Sequence, residues 1–258
     1  MFDVTASIVL YHNDRSVLQK AIYSFLNTNL NIEIFLFDNS TTNELFNIVN
    51  DKRVVYHFNN KNIGFGSGHN FAIKFYENKT KFHLVLNPDI YFNQNNIEKI
   101  YNYMNINKSV GLLMPKILYP NKEIQYLCKR NPTPFILFFR RFLNFNIFKN
   151  HFNKINYLYE YRDFNYNKEI FNVPYLSGCF MFFRMNVFND IGYFDERIFM
   201  YIEDADITRR VLSKHKTVYY PEAEVYHHFE KGSHKNFKLM LYSIHGAIIY
   251  FNKWGWFK

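Results

Sequence analysis

Residues 5–40, TASIVLYHNDRSVLQKAIYSFLNTNLNIEIFLFDNS, hold a strand, a helix and a second strand in that order. Thr5–Tyr11 is a β-branched apolar run of strand length. Ser16 is placed to cap a helix in which Val17, Leu18, Ala21, Ile22, Phe25 and Leu26 recur at i, i+3, i+4 spacing. Ile32–Phe37 is the second apolar strand, and it breaks off in the polar turn Asp38-Asn39-Ser40.

The alternation continues outward. Thr42–Val49 reads as a short helix, Val54–Phe58 as a third strand, His69–Glu77 as a helix, and Phe82–Leu86 as a fourth strand ending in Asn87-Pro88-Asp89. Strands alternating with helices predict a mainly parallel α/β sheet. Such sheets bind ligands at the carboxyl ends of their strands, where both carboxylate-bearing turns fall. Residues 116–170 are irregular and rich in Asn, Phe, Tyr and Lys, with Pro132 and Pro134 as breakers. Beyond an apolar run at Tyr175–Arg184, the pattern predicts helices at Asn186–Ile191 and from Asp204 to about Ser213. Short strands follow at Val218–Tyr220 and Glu224–Tyr226, then a terminal helix at Lys238–Phe251.

Composition bounds the function. The chain has 258 residues, 48% of them apolar, which suits one large domain and excludes a disordered tail. Cys128 and Cys179 are too few for a disulfide scaffold or a four-cysteine zinc site, and fit a reducing compartment. The richest apolar stretch, Phe135–Phe145, is split by Arg140-Arg141 and falls short of the ~20 residues of a membrane span. The N-terminus lacks a basic leader and reads as a first strand, so a cytoplasmic location is expected. The net charge of +9 is uneven: +1 over residues 1–115, +6 over 116–170, −2 over 171–226 and +4 over 227–258. Localised basic surface attracts phosphate, whether of nucleic acid, lipid or a charged substrate. A nucleic-acid-binding module is therefore one reading, although it gives no reason for acids at two strand ends.

Four clusters carry candidate chemistry. Gly64, Gly66 and Gly68 crowd into Asn62-Ile-Gly-Phe-Gly-Ser-Gly-His-Asn70, between a strand and a helix, where free N–H groups and the helix dipole suit an anion. Asp89 follows an apolar strand and suits a hard divalent cation sharing its sphere with phosphate. Asp195, Glu196, Glu203, Asp204 and Asp206 place five carboxylates in twelve residues, the last two at a helix start that favours the ionised form needed by a general base. Arg210 stands four residues beyond Asp206 and is expected to pair with it. His227 and His228 are candidate metal ligands, followed by Lys231, Ser233 and Lys235 as phosphate contacts.

In order, Ile8–His12, Asp38-Asn39-Ser40, Asn62–Asn70, Leu86–Asp89, Ser177-Gly178-Cys-Phe-Met, Phe194–Asp206 and His227–Ser233 resemble the inverting family 2 glycosyltransferases, in particular the rhamnosyltransferase-like branch that builds bacterial surface polysaccharides. The resemblance implies a GT-A fold: one Rossmann-like domain over 1–258 with a mainly parallel central sheet. Residues 1–115 would be its nucleotide-binding half and 116–226 its acceptor and catalytic half, containing a basic, aromatic insertion. Residues 227–258 would be a C-terminal helical tail. It implies donor contacts from Tyr11, Asp38 (to the pyrimidine base), Asn39, Asn62, Gly64, Phe65, Gly68 and Asn87. It places Mg2+ or Mn2+ on Asp89 and His227, catalysis on Asp204 with Glu203 beside it, and the acceptor near Gly178, Asp206 and Arg210. Asn87 stands where the family often has an acid, His69 where it often has Asn, and His227 is chosen over His228 by its distance to Ser233. The implied donor is dTDP-L-rhamnose, with UDP-Gal or UDP-Glc as the alternative. The implied acceptor is a glycan or an undecaprenyl-diphosphate-linked glycan for O-antigen, capsule or lipooligosaccharide. No nucleic acid is implied, and a homodimer is left open. Segment 116–170 and the tail Tyr250–Lys258 suit peripheral docking on the inner membrane face.

Overall fold

The computed structural model describes residues 1–142, 149–228 and 237–256. The elements run β1 (Phe2–Leu10), α1 (Arg15–Leu26), β2 (Ile32–Asp38), β3 (Val54–Phe58), α2 (Phe65–Phe75), β4 (Thr80–Leu86), β5 (Ile90–Phe92), α3 (Asn96–Ile106), β6 (Val110–Leu118), β7 (Cys128–Lys129), α4 (Pro134–Phe142) and α5 (Lys149–Tyr159). They continue with β8 (Ile170–Phe171), β9 (Tyr175–Leu176), β10 (Phe180–Arg184), α6 (Val187–Ile191), α7 (Glu203–Leu212), β11 (Lys216–His227) and α8 (Phe237–Trp254).

Among the described residues a nine-stranded sheet has the order β3-β2-β1-β4-β10-β6-β11-β5, with β8 also on β11. The pairs β1–β2, β2–β3, β1–β4 and β6–β11 are parallel, while β10 runs against both β4 and β6. The expected mainly parallel sheet is present. The chain leaves β1 toward β2 and β3 on one side and reaches β4 on the other, so a crevice opens at the carboxyl ends of β1 and β4. The register aligns that rim, with Leu10 opposite Asp38 and Asp38 opposite Phe58. Beneath it, Phe25, Phe37, Phe82, Phe180, Phe182 and Phe183 are fully buried, so many of the aromatics fill the core.

Local chemistry moves several expected boundaries. Asp14, not Ser16, caps α1: its Oδ1 accepts the N–H groups of Ser16 (2.9 Å) and Val17 (3.0 Å). Thr42–Val49 forms turns, not a helix; Leu45 and Ile48 are buried, but Asn47 is left-handed (φ 57°) and eight residues give little beyond a helix nucleus. α2 begins at Phe65, four residues before the expected start, so Gly66 and Gly68 lie inside its first turn. Pro134 opens α4 instead of breaking the chain, since a first-turn residue needs no N–H. The two strands expected near 218–226 are one, with a register shift between Tyr220 and Glu224 that contains Pro221.

Candidate active site

The donor-side residues gather on the rim, but several brace it instead of lining it. Asp38 is fully buried; its Oδ1 accepts Ser40 N–H (2.8 Å) and its Oδ2 the Tyr56 hydroxyl (2.6 Å). In this geometry it fixes Tyr56 and the turn at Ser40, in place of the direct base contact expected of it. Burial and then that carboxylate push the Tyr56 phenol above its ordinary range. Asn39 is buried as well; its Nδ2 donates to the Gly64 carbonyl (3.3 Å) and its Oδ1 accepts Ile63 N–H (3.3 Å), tying the end of β2 to the glycine segment. Tyr11 is exposed at the end of β1, and Asn62 and Phe65 are partly exposed beside it.

The glycines serve packing, and two of the N–H groups expected to face an anion are already engaged. Gly64 N–H donates to Asn62 Oδ1 (3.0 Å) and Phe65 N–H to the Phe199 carbonyl (3.0 Å). At φ +94° Gly64 takes a conformation that side chains avoid, and a Cβ there would collide with the Phe199 carbonyl oxygen. A Cβ at Gly66 would lie 2.9 Å from Phe194 Cβ, and one at Gly68 2.7 Å from Val9 Cγ2. Asn70 completes the junction: its Nδ2 donates to the Phe194 carbonyl (2.9 Å) and its Oδ1 accepts Phe194 N–H (2.9 Å). Beneath α2, Ser7 Oγ bridges His69 Nδ1 (2.7 Å) and His83 Nε2 (2.9 Å), and burial holds both imidazoles neutral.

The glycine segment is thereby docked onto the turn that launches α7. Tyr201 and Ile202 both have φ 72°, a left-handed pair that a β-branched residue rarely accepts. The turn is gripped from two sides, by Gly64 and Phe65 on the Phe199 carbonyl and by Gly246 of α8, where a Cβ would lie 2.8 Å from the Tyr201 carbonyl oxygen.

Asp204 and Glu203 follow and have opposite fates. Asp204 is partly exposed; its Oδ2 accepts Gly178 N–H (2.9 Å) and its Oδ1 Ala205 N–H (2.9 Å). It also accepts a hydrogen bond from the buried Tyr175, whose phenol is pushed up by burial and then by this carboxylate. These donors fix the orientation of a carboxylate that is still partly open at the rim, as a general base must be. Glu203 is buried, its Oε2 has no hydrogen-bond partner, and desolvation followed by the Asp204 charge pushes its carboxyl well above the usual range. A neutral, enclosed carboxyl cannot take a proton from substrate, so the catalytic role expected of Glu203 is corrected to a structural one.

Asp206 and Arg210 also leave the expected acceptor site. They pair as expected at 2.9 Å, but Asp206 is fully buried and also accepts Trp254 Nε1–H (2.8 Å) and Lys253 Nζ (2.7 Å). Arg210 donates onward to the carbonyls of Ile191 (2.6 Å) and Tyr193 (2.8 Å). Both join α7 to its neighbours. Gly178 remains at the site through its bond to Asp204.

Asp89 and His227 meet at the rim, with His227 Nε2 3.4 Å from Asp89 Oδ1. Gln125, which the sequence did not single out, sets this ring: its Nε2 donates to the His227 carbonyl (3.0 Å), so its Oε1 accepts from His227 Nδ1 (3.0 Å). That assignment leaves Nε2 as the ring nitrogen that faces Asp89. A carboxylate and an imidazole nitrogen converging this closely suit a divalent cation that takes its remaining oxygens from phosphate and water. No group of three or more His, Cys, Asp or Glu side chains forms a metal cage among the described residues. Asn87 is partly exposed on the same turn, its N–H donating to the Cys179 carbonyl (2.9 Å). The His228 ring lies against Tyr91 (5.1 Å between centroids), while its backbone N–H donates to the Asp89 carbonyl (3.1 Å). Burial pushes the Cys179 thiol up to about 12, which leaves it inert as a nucleophile. Lys231, Ser233 and Lys235 lie outside the described residues. A cavity of about 650 Å³ beside Lys116, Tyr126, Arg162 and Tyr226 contains none of the expected site residues.

The fold is an α/β sheet with carboxylates at its rim, and comparison with known proteins fixes the family. The profile of glycosyl transferase family 2 matches residues 7–192, and the chain belongs to that family. A Mycobacterium tuberculosis N-acetylglucosaminyl-diphospho-decaprenol L-rhamnosyltransferase is 46% identical over 57 residues, 22% of this chain and 19% of the relative. The low-salt glycan biosynthesis hexosyltransferase Agl10 of Haloferax volcanii is 27% identical over 210 residues, 81% of this chain and 61% of the relative. This chain thus spans less than two thirds of either relative. The structure of GalNAc-T7 with UDP, GalNAc and Mn2+ superposes with a TM-score of 0.64 at 12% identity, over 90% of this chain and 44% of that one. Residues 1–349 of S. aureus TarS superpose at 0.53 and 17% identity, over 85% of this chain and 60% of that one. At these identities the superpositions establish the fold, which is GT-A.

Proposed function

We propose that the protein transfers a hexose from a nucleotide-sugar to a glycan hydroxyl by a single inverting displacement, with Asp204 as general base. The observation that carries this is the contrast within the Glu203–Asp204 pair. One carboxyl is sealed and has its pKa pushed up by burial, while the other is partly exposed and is oriented by the Gly178 and Ala205 N–H groups and the Tyr175 hydroxyl. Asp204 takes the proton as the acceptor oxygen attacks the anomeric carbon from the face opposite the leaving nucleoside diphosphate. Asp89 and His227 would hold Mg2+ or Mn2+, which offsets charge on that diphosphate when bound. Tyr11, Asn62, Phe65 and Asn87 form the donor wall, which Asp38, Asn39, Gly64 and Gly68 hold in shape. In this reading 1–115 is the nucleotide half, 116–226 the acceptor half and 227–258 a tail.

The short match to a rhamnosyltransferase supports dTDP-L-rhamnose as donor and a lipid-diphosphate glycan as acceptor, with UDP-hexoses as the alternative donors. The acceptor's lipid would place the protein at the inner membrane face. The described residues contain no helix long and apolar enough to cross a membrane, but α8 exposes Phe237, Leu241, Ile244 and Ile248 along one stripe. Equal binding to anionic and neutral vesicles at low salt would contradict that placement.

A thermal-shift screen of nucleotide-sugars with and without Mn2+ tests the donor site, because a ligand of the native state raises its stability by RT ln(1 + [L]/Kd). One nucleotide series should raise the midpoint, more with metal than without, and the metal increment should vanish in Asp89→Ala. No response to any nucleotide would refute the proposal.

A further inference from the structure

Several cations of the acceptor half pair with carboxylates, and others, such as Lys122, Lys154 and Lys168, stand exposed to solvent. Lys116 pairs with Glu224 (2.9 Å), Arg130 with Asp163 (2.8 Å), and Arg140 (2.9 Å) and Arg162 (2.6 Å) both with Glu160. Lys129 is different. Among the described residues no carboxylate lies within ion-pair distance of its ammonium, which sits 4.5 Å from the ring centroid of Tyr175. The antiparallel β7–β9 pair sets Lys129 directly opposite Tyr175, the residue whose hydroxyl bonds Asp204. The side chain is only partly exposed; burial lowers its pKa, and the nearby Asp204 charge is the largest influence holding it up. A desolvated ammonium fixed on an aromatic face, without a counter-ion, costs the fold free energy unless a ligand brings the counter-ion.

We infer that Lys129 is the acceptor-recognition residue for a phosphate ester, its ammonium binding the phosphate of a glycosyl diphosphate while the sugar's hydroxyl reaches Asp204. This rests on the transfer reaction proposed above and adds the chemistry of the acceptor. The phosphate of a glycosyl diphosphate lies one sugar ring from the hydroxyls that attack, so its cation belongs on the flank of the base. The donor's diphosphate is assigned to the Asp89–His227 turn, leaving Lys129 for the second substrate. Lysine suits this task as a point charge that accepts phosphate from several directions.

The test combines labelling with kinetics. With nucleotide and Mn2+ saturating throughout, lysine acylation is followed by mass spectrometry in the presence of inorganic pyrophosphate, a synthetic N-acetylglucosaminyl-diphospho-lipid, or the same lipid glycoside without phosphate. Lys129 should be shielded about tenfold or more by the diphosphate lipid, weakly by pyrophosphate and not by the neutral glycoside. Shielding complete with nucleotide alone would assign Lys129 to the donor and overturn the inference, as would no shielding by the diphosphate lipid. In turnover, Lys129→Met should lower the preference for diphosphate over neutral acceptor by about 10–100-fold, through KM, and Lys129→Arg should restore most of it. The thermal midpoint of Lys129→Met should stay level or rise, because a desolvated charge is removed; a fall would mark Lys129 as structural and contradict the inference. If the wild-type enzyme turned over neither acceptor, the transfer reaction would fail, while the labelling would still decide whether Lys129 binds phosphate.

Discussion

Asp204 and Asp206 are two residues apart and carry the same group, yet one is partly exposed at the rim and the other is sealed in the core. The helix explains this: at about 100° per residue their side chains point roughly 200° apart. The candidate base was therefore legible in the sequence from its place at a helix start. Asp206 and Arg210 were misassigned because charge was read as exposure, whereas Lys253 and Trp254 of α8 cover Asp206, a contact 47 and 48 positions away that local pattern does not show. Tyr56, Gln125 and Lys129 left no local signal; Gln125 acts on His227 across 102 positions. The Glu203–Asp204 pair gives a prediction with a pH sign. The folded state holds the Glu203 proton above the ordinary value near 4.5, whereas the unfolded chain loses it there, so Glu203 costs increasing stability as pH rises beyond that point. Glu203→Gln should thus raise the thermal midpoint at pH 8 relative to wild type, with the gain shrinking toward pH 4, and should keep turnover within a few-fold. Asp204→Asn should lower kcat by about 10²–10⁴-fold while nucleotide affinity persists, measured by steady-state kinetics beside a binding titration.

The turn from Phe199 to Ile202 shows how elements build the site. It is strained at Tyr201 and Ile202 and held between the start of α2 and the middle of α8. α8 then fastens α7 directly, through Arg209 to the Tyr250 hydroxyl (3.2 Å) and through Lys253 and Trp254 to Asp206. The tail, expected as a helix and as a membrane-docking segment, is thus also part of the scaffold that holds α7. Asp206→Asn should remove the carboxylate that the part-buried Arg210 and the exposed Lys253 share and lower stability by about 1.5–3 kcal/mol in urea unfolding. Hydrogen exchange should quicken first in α8. Full retention of stability would mean the ion pairs do not hold α8. The glycine cluster shows the limit of motif reading: clustering in a glycine-poor chain flagged a real constraint, but steric contact with Phe194, Phe199 and Val9, far away in sequence, decides its use.

At the scale of the molecule, the alternating strands and helices of residues 5–86 were enough to predict the parallel half of the sheet. The reversed strand β10 and the late return of β11 beside β6 depend on pairings between 69 and 108 residues apart, which local periodicity does not encode. The helices α4 and α5 lay hidden in the aromatic insertion because its composition masks the 3.6-residue period. Within the net charge of +9, Lys129 stands out as a half-buried cation beside the base with no carboxylate at ion-pair distance among the described residues. The central claim is a single displacement driven by one exposed carboxylate. It is tested most directly by the anomeric configuration of the transferred sugar, read by NMR from the one-bond C–H coupling of the product. Inversion relative to the nucleotide-sugar is the predicted result; retention would require a second displacement or front-face chemistry and would contradict the account.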